Sequence, residues 1–268
     1  MAGLAVTPAG LRRAGAAALP WLVPAALVAL WQAASSLGWI ASKVLPSPGE
    51  VGSAFWHLAW TGELWRAIGV SFLRAVGGAA IGGVIGFALG ILNGTSPRAA
   101  SLLDSTLQML RNIPHLAMIP LVILWFGIGE SAKLFLVAVG VFFPIYLNTY
   151  HGVRTVDAGL LEMARVYGLD RRRLFFQVVL PGALPSVLVG VRFALGIMWV
   201  TLIVAETVSA SSGIGYMTMN AREFLETDVV VLGILMYALL GKLADWAAVW
   251  VERRCLAWHP AYAVTAAR

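Results

Sequence analysis

Six apolar runs recur along this chain, most of them near the length a helix needs to cross a lipid bilayer, with short polar segments between them. They cover residues 19–37, 75–92 (extending back toward 67), 113–126, 134–150, 184–209 and 229–251. A hydrocarbon core about 30 Å thick takes roughly 20 residues of α-helix. Inside it every backbone N–H and C=O must be satisfied by the segment itself, which leaves a helix as the form each run can adopt. The composition agrees: 60% of the residues are hydrophobic and only 12% charged. A soluble domain keeps about a quarter of its residues charged to hold a surface in water. The expected fold is an all-α polytopic membrane protein with about six transmembrane helices. The third and fourth runs are short and contain Pro114, Pro120 and Pro144, so kinks are expected there.

The net charge of +6 is a matter of topology rather than of nucleic-acid binding, because no basic face with interleaved aromatics is present. Arg12, Arg13, Arg98, Arg111, Arg154, Arg165, Arg171, Arg172, Arg173, Arg253, Arg254 and Arg268 fall in four segments on one side of a six-helix arrangement. The other side holds Lys43, Arg66, Arg74, Lys133 and Arg222. The positive-inside rule puts the first group, and with it both termini, in the cytoplasm. The chain then divides into an N-terminal tail (1–18), a membrane domain (19–251) with a cytoplasmic loop (151–183), and a C-terminal tail (252–268). Arg12 and Arg13 ahead of an apolar run imitate a signal peptide, but the further runs favour a retained first helix. Arg74 falls at the outer end of the second run and is expected to snorkel or to cap an interfacial turn.

Gly78, Gly82, Gly86 and Gly90 recur every fourth residue and strip one face of the second helix of side chains. Close backbone approach is what associates helices in lipid, so this face marks a tight seam, either within one subunit or between two. The single cysteine, Cys255, excludes an internal disulfide and is read as inert. His57, His115, His151 and His259 are widely spaced. No catalytic, cofactor or metal constellation is expected, and no GxxxxGK[ST] run is present to bind a nucleotide.

Residues 162–181 read EMARVYGLDRRRLFFQVVLP, too polar to cross a bilayer. A first helical turn sequence through Glu162, Ala164, Arg165, Val166 and Tyr167 breaks at Gly168. Asp170 is placed to cap a second short helix with Leu174, Phe175 and Val178 on its apolar side, stopping near Leu180 and Pro181. The expected element is a compact helix–turn–helix lying on the cytoplasmic face with its aromatics turned inward.

The spacing Glu-x-Ala-x-x-x-Gly, nine residues, then Val178-x-Leu-Pro resembles the coupling loop of the permeases of binding-protein-dependent ABC importers. Glu162, Ala164, Gly168, Leu180 and Pro181 match the motif, Arg165 lies within it, and Met163 replaces the usual second small residue. The segments 110–120, 124–127 and 190–215 look like the permeases for nitrate, taurine and sulfonates, most nearly the aliphatic sulfonate permeases. The resemblance covers the chain from Trp21 onward. It implies a type I importer permease fold and docking of the loop into an ATPase subunit. It also implies a complex of two ATPase subunits, a second copy of this chain and a periplasmic or lipid-anchored substrate-binding protein. ATP and Mg would belong to the ATPase, and this chain would bind no cofactor of its own.

Ionisable groups inside a membrane are costly and usually mark a path or a pair. Arg192 and Glu206 share the fifth helix but lie too far apart along it to meet. Arg192 is either a pore cation or a snorkelling structural group, and Glu206 is read as a structural or gating contact. Lys242 and Asp245 are spaced to neutralise each other. The remaining substrate-path candidates are the donors Thr201, Ser209, Ser211, Ser212 and Asn220. Among other functions, an intramembrane enzyme lacks the side chains it would need. A secondary transporter would show paired internal repeats and broken helices carrying ion-coupling charges, and would leave the loop without a role.

Overall fold

The computed structural model describes residues 8–258 of the chain, and every regular element in them is helical. In order these are α1 (Pro8–Ser36), α2 (Pro48–Thr61), α3 (Glu63–Thr95), α4 (Pro97–Arg111), a 3-10 turn (His115–Met118), α5 (Ile119–Phe126) and α6 (Glu130–Arg154). There follow α7 (Ala158–Val166), α8 (Arg171–Leu174), a π turn (Phe175–Val179), α9 (Leu180–Ser209), α10 (Ile214–Glu223) and α11 (Thr227–Cys255). Among the described residues four helical stretches are long and apolar enough to span a membrane: α3, α6, α11, and the run Arg171–Ser209 that contains α9. The pair Pro97–Arg111 and His115–Phe126, bent by 80°, makes a fifth if taken as one span. In α1 the apolar described stretch is shorter, Leu22–Ser36.

Most boundaries lie beyond those expected from hydropathy. The apolar centre of a span is visible in composition, whereas its polar ends are helical because capping and packing continue the ladder. α3 starts at Glu63 and reaches Thr95, and α6 runs through Pro144 from Glu130 to Arg154. Residues 8–18 of the expected N-terminal tail are helical, while residues 1–7 and 259–268, with the rest of both expected tails, lie outside the described residues. Three helices, α2, α4 and α10, correspond neither to an apolar run nor to the expected elbow. α2 begins with a capping box: the Ser47 side chain accepts from the Glu50 N–H, and the Glu50 carboxylate accepts from the Ser47 N–H. That bonding, chiefly to the Ser47 backbone, holds the Glu50 carboxyl below its usual range. The Trp31 indole N–H donates to the Pro46 carbonyl and ties α1 to this corner.

α6 is the central helix, flanked by α3 on one side and α9 on the other. The glycine stripe of α3 is the reason for the first contact. A side chain at Gly82 would run into the Ala138 carbonyl, and one at Gly86 would lie 2.6 Å from the Phe142 carbonyl oxygen. At Gly78 and Gly90 the obstacles are Val137 and Thr149, each 2.6 Å away. The seam is therefore internal to one subunit. α9 meets α6 in the same manner: a Cβ at Gly190 would lie 2.9 Å from the Pro144 carbonyl oxygen and one at Gly152 2.9 Å from that of Ala183. Asn93 adds a hydrogen bond across the first seam, its side-chain N–H donating to the Tyr146 hydroxyl at 2.8 Å. The outward faces stay apolar, with Leu73, Val84, Val200 and Leu239 all exposed, as a surface bathed in acyl chains requires.

A backbone carbonyl cannot step aside as a flexible side chain does. Gly82→Leu is therefore expected to cost about 3 kcal/mol, an overpacking penalty. Gly69→Ala, where nothing lies within 4 Å, is expected to be neutral or slightly stabilising. Thermal unfolding of the two purified variants in one detergent checks the contrast.

Candidate functional site

Two constellations of polar groups sit at opposite ends of the α6–α9 pair. The first is the elbow that joins the end of α6 to the start of α9. Asp157 caps α7 by accepting from the Leu160 N–H at 3.0 Å. Ala164 faces inward and is buried, while Leu160, Met163, Val166 and Tyr167 are exposed, Val166 at 87%. Glu162 and Arg165 are exposed on the same short helix. The helix ends in a Schellman motif: the Gly168 N–H donates to Arg165 and the Leu169 N–H to Ala164. Gly168 adopts φ +73°, a left-handed conformation that a side chain disfavours. Asp170 then caps α8, accepting from the Arg173 N–H at 2.7 Å.

The second helix of the elbow does not stop at Leu180–Pro181 as expected. It passes through the π turn into α9 as one helix, Arg171–Ser209. Proline normally breaks a ladder because it lacks an N–H and its ring strikes the carbonyl one turn earlier. Here Leu180 bonds back to Phe175, a wider turn that carries the chain past Pro181 and on toward Pro185. Leu180 and Pro181 thus lie on the membrane helix itself, half-buried. The aromatics of the elbow are not all inward: Tyr167 and Phe176 are exposed, while Phe175 is half-buried with Leu174 and Val178.

The second constellation joins the starts of α3, α6 and α11 to the end of α9. Arg74 is 4% exposed and donates from Nε and Nη2 to the Glu130 carboxylate, both at 2.6 Å. It donates from Nη1 to Glu206 at 2.7 Å and to the Ser212 carbonyl at 2.6 Å, and from Nη2 to the Ser212 hydroxyl at 2.8 Å. Glu206, 1% exposed, also accepts from the Ser71 hydroxyl, the Gly215 N–H at 2.9 Å and the Tyr237 hydroxyl at 2.8 Å. Lys133 reaches Glu130 at 3.0 Å. Two cations and two carboxylates balance, and of the four only the Glu130 side chain reaches solvent, 57% exposed. Arg74 does not snorkel: it is the hub of this cluster, and through Ser212 it also ties the turn after α9. Gly213, at φ +102°, makes that turn, whereas Gly215 belongs to α10, packed so closely that a Cβ would lie 2.5 Å from that of Glu206.

The substrate-path candidates are not gathered at one place. Arg192 donates to Asp245 at 2.7 Å, and Lys242 contacts the other oxygen of the same carboxylate at 3.2 Å. Thr201 is buried, its hydroxyl 3.0 Å from His115 Nε2. Ser209 donates to the Ala205 carbonyl one turn back. Ser212 serves Arg74, and Ser211 and Asn220 are exposed. Among the described residues no three His, Cys, Asp or Glu side chains group as a metal site. Sequence reasoning missed Ser71, Glu130, Lys133 and Tyr237 as members of one cluster. The available signal was that Arg74 and Glu206 each fall at the end of an apolar run with no opposite charge on their own helix to pair with.

Removing one partner of a buried ion pair leaves the other uncompensated. Arg74→Met is expected to cost about 3–5 kcal/mol, and the double variant Arg74→Met/Glu206→Met substantially less. Thermal unfolding of both against the parent protein checks the order.

Comparison with known proteins gives concordant results. Residues 82–256 match the family model described as the binding-protein-dependent transport system inner membrane component. The chain is 61% identical over 243 residues to the putative aliphatic sulfonates transport permease protein SsuC of Escherichia coli K12, covering 91% of this chain and 92% of that one. It is 45% identical to the Bacillus subtilis 168 protein of the same description, covering 90% of this chain and 87% of that one. With the Escherichia coli K12 taurine transport system permease protein TauC identity is 34%, over 88% of this chain and 87% of that one. Among solved structures, the inward-facing MetNI methionine ABC transporter superposes with a TM-score of 0.61 at 20% identity, covering 74% of this chain and 97% of that chain. That likeness concerns the fold.

Proposed function

This chain belongs to the binding-protein-dependent transport system inner membrane components, and we propose that it forms the translocation path for aliphatic sulfonates. Membership makes it a multi-pass permease of the bacterial inner membrane, part of an ABC importer of small anions, and it is not itself an ATPase. The sulfonate assignment rests on the two relatives of that description, with taurine as the second reading on the strength of the third.

The observation that carries the coupling role is the elbow. A short helix is stopped rigidly by Gly168, turns an apolar face of Leu160, Met163, Val166 and Tyr167 outward, and is joined by a tight turn to α8, which is continuous with a membrane helix. In this reading that face docks on one of two ATPase subunits, which bind ATP and Mg. A second copy of the chain completes the pore, and an external binding protein delivers the anion. A capped helix passes on a push that a flexible loop would dissipate. The stroke enters α9 at Leu180 and Pro181, and the ion cluster around Arg74 holds the far ends of α3, α6, α9 and α11 together as the near ends move. Counting α1 as a first crossing and the bent pair as one gives six spans with both termini cytoplasmic. The arginines of the elbow and those following α11 support that orientation.

Gly168→Val is expected to leave membrane insertion intact and to abolish stimulation of ATP hydrolysis by loaded binding protein. Normal stimulated hydrolysis in the reconstituted complex would refute the coupling role. For orientation, Glu162→Cys and Arg222→Cys in a Cys255→Ser background should label from opposite sides of the membrane with an impermeant maleimide. Glu162→Cys reacting from outside would reverse the topology. Substrate class is read from which anion, alkanesulfonate or taurine, raises ATP hydrolysis and accumulates in proteoliposomes.

A further inference from the structure

The third span is broken. α4 ends at Arg111, the next helical turn starts at His115, and the two halves are bent by 80°. Irregular backbone within a membrane span persists where it is buried in protein or lines a cavity. Here the break borders a cavity of about 370 Å³ between α6 and α9. One part of its lining is polar. Arg111 faces it and has no acidic partner among the described residues, and no Asp or Glu lines it. His115 faces it too, held by Thr201 at 3.0 Å. Gly140 lines the same wall because a Cβ there would lie 2.9 Å from the Thr201 hydroxyl and 3.4 Å from His115 Nε2. Pro144, one turn on, supplies no N–H to the Gly140 carbonyl. The rest of the wall is apolar at Phe143, Leu147, Val189, Phe193 and Ile197, and the Asn148 amide that also lines it is turned back to donate to the Pro144 carbonyl at 2.8 Å. Ile197 and Val189 lie two turns apart on α9, a reach of about 12 Å.

Arg111, expected in a cytoplasmic segment, stands instead at the break of the third span, exposed at the mouth of this cavity, and a cation without an acidic partner beside a largely apolar wall is a place for a counter-charge. A small inorganic anion would leave the apolar wall unused. We propose that this cavity is a transit site for an amphiphilic anion. The sulfonate group is held by Arg111 near His115, and the alkyl tail lies along Phe143 and Phe193 toward Val189. This rests on the sulfonate-importer reading and adds to it a discrete site inside the membrane subunit, with a chain-length limit set by its own walls.

The test is import by the full reconstituted complex, binding protein and ATPase included, of methanesulfonate and of pentanesulfonate, with ATP hydrolysis followed in parallel. Arg111→Gln should lower sulfonate moved per ATP about tenfold for both probes, the order of one lost charge-assisted hydrogen bond, and Arg111→Lys should recover part of it. Val189→Phe, which shortens the apolar end, should cut pentanesulfonate import about tenfold while methanesulfonate stays within about twofold. Unchanged transport per ATP in Arg111→Gln would overturn the site. So would a Val189→Phe variant that treats the two probes alike, whether both fall or neither does. Should Arg111→Gln not assemble, Arg111→Lys and Val189→Phe decide by the same criteria. A parent complex that imports neither sulfonate would instead overturn the substrate reading on which the site rests.

Discussion

Lipid offers helices little reward for hiding apolar side chains from one another, so the bundle depends on how near α6 comes to its two neighbours. On one side the glycines of α3 give way before the carbonyls of Ala138 and Phe142. On the other, Gly152 and Gly190 let α6 and α9 touch backbone to backbone. Dispersion and weak C–H···O contacts act only at such distances, and each is small, so many must be made together. The three helices behave as one slab, and the polar constellations are attached to its ends.

Charge on this framework gathers at the ends of the slab, at one broken span and in the Arg192–Asp245–Lys242 group that links α9 to α11. At one end Arg74 and Glu206 are so fully bonded that neither has a donor or lone pair to spare for a ligand, which suits them to holding rather than to binding. At the other, the elbow uses Asp157 and Asp170 for its own caps and presents Leu160, Met163, Val166 and Tyr167 outward beside the exposed charges of Glu162, Arg165 and Arg171 to Arg173. A surface of that kind needs a protein partner. The same chain thus separates a rigid polar knot from an adhesive apolar lever by the length of α6.

Much of this was legible in the sequence. Apolar run length located the membrane helices, the four-residue glycine period marked the α3 seam, and Glu162 through Pro181 pointed to the elbow. What escaped has a common physical character. The α6–α9 seam is built from Gly140, Gly152 and Gly190, which show no regular period because two lie far apart on α6 and the third comes from α9. The cluster around Arg74 joins residues far apart in sequence, and single charges in apolar runs do not name their partners. The continuation through Pro181 was hidden because proline ordinarily signals a stop, and here a widened turn offsets that signal.

The widened turn at Phe175–Val179 inserts one residue into what is otherwise an α-helical repeat, and a single residue corresponds to a rotation of about 100° around the axis. Everything preceding it, Arg171 to Arg173 and α7 beyond them, is therefore set at an azimuth on α9 that a plain α ladder would not give. The direction in which the lever points is encoded by that one extra residue. Loss or gain of a residue between Gly168 and Leu180 would leave the membrane helix in place and swing the docking face away from whatever it meets.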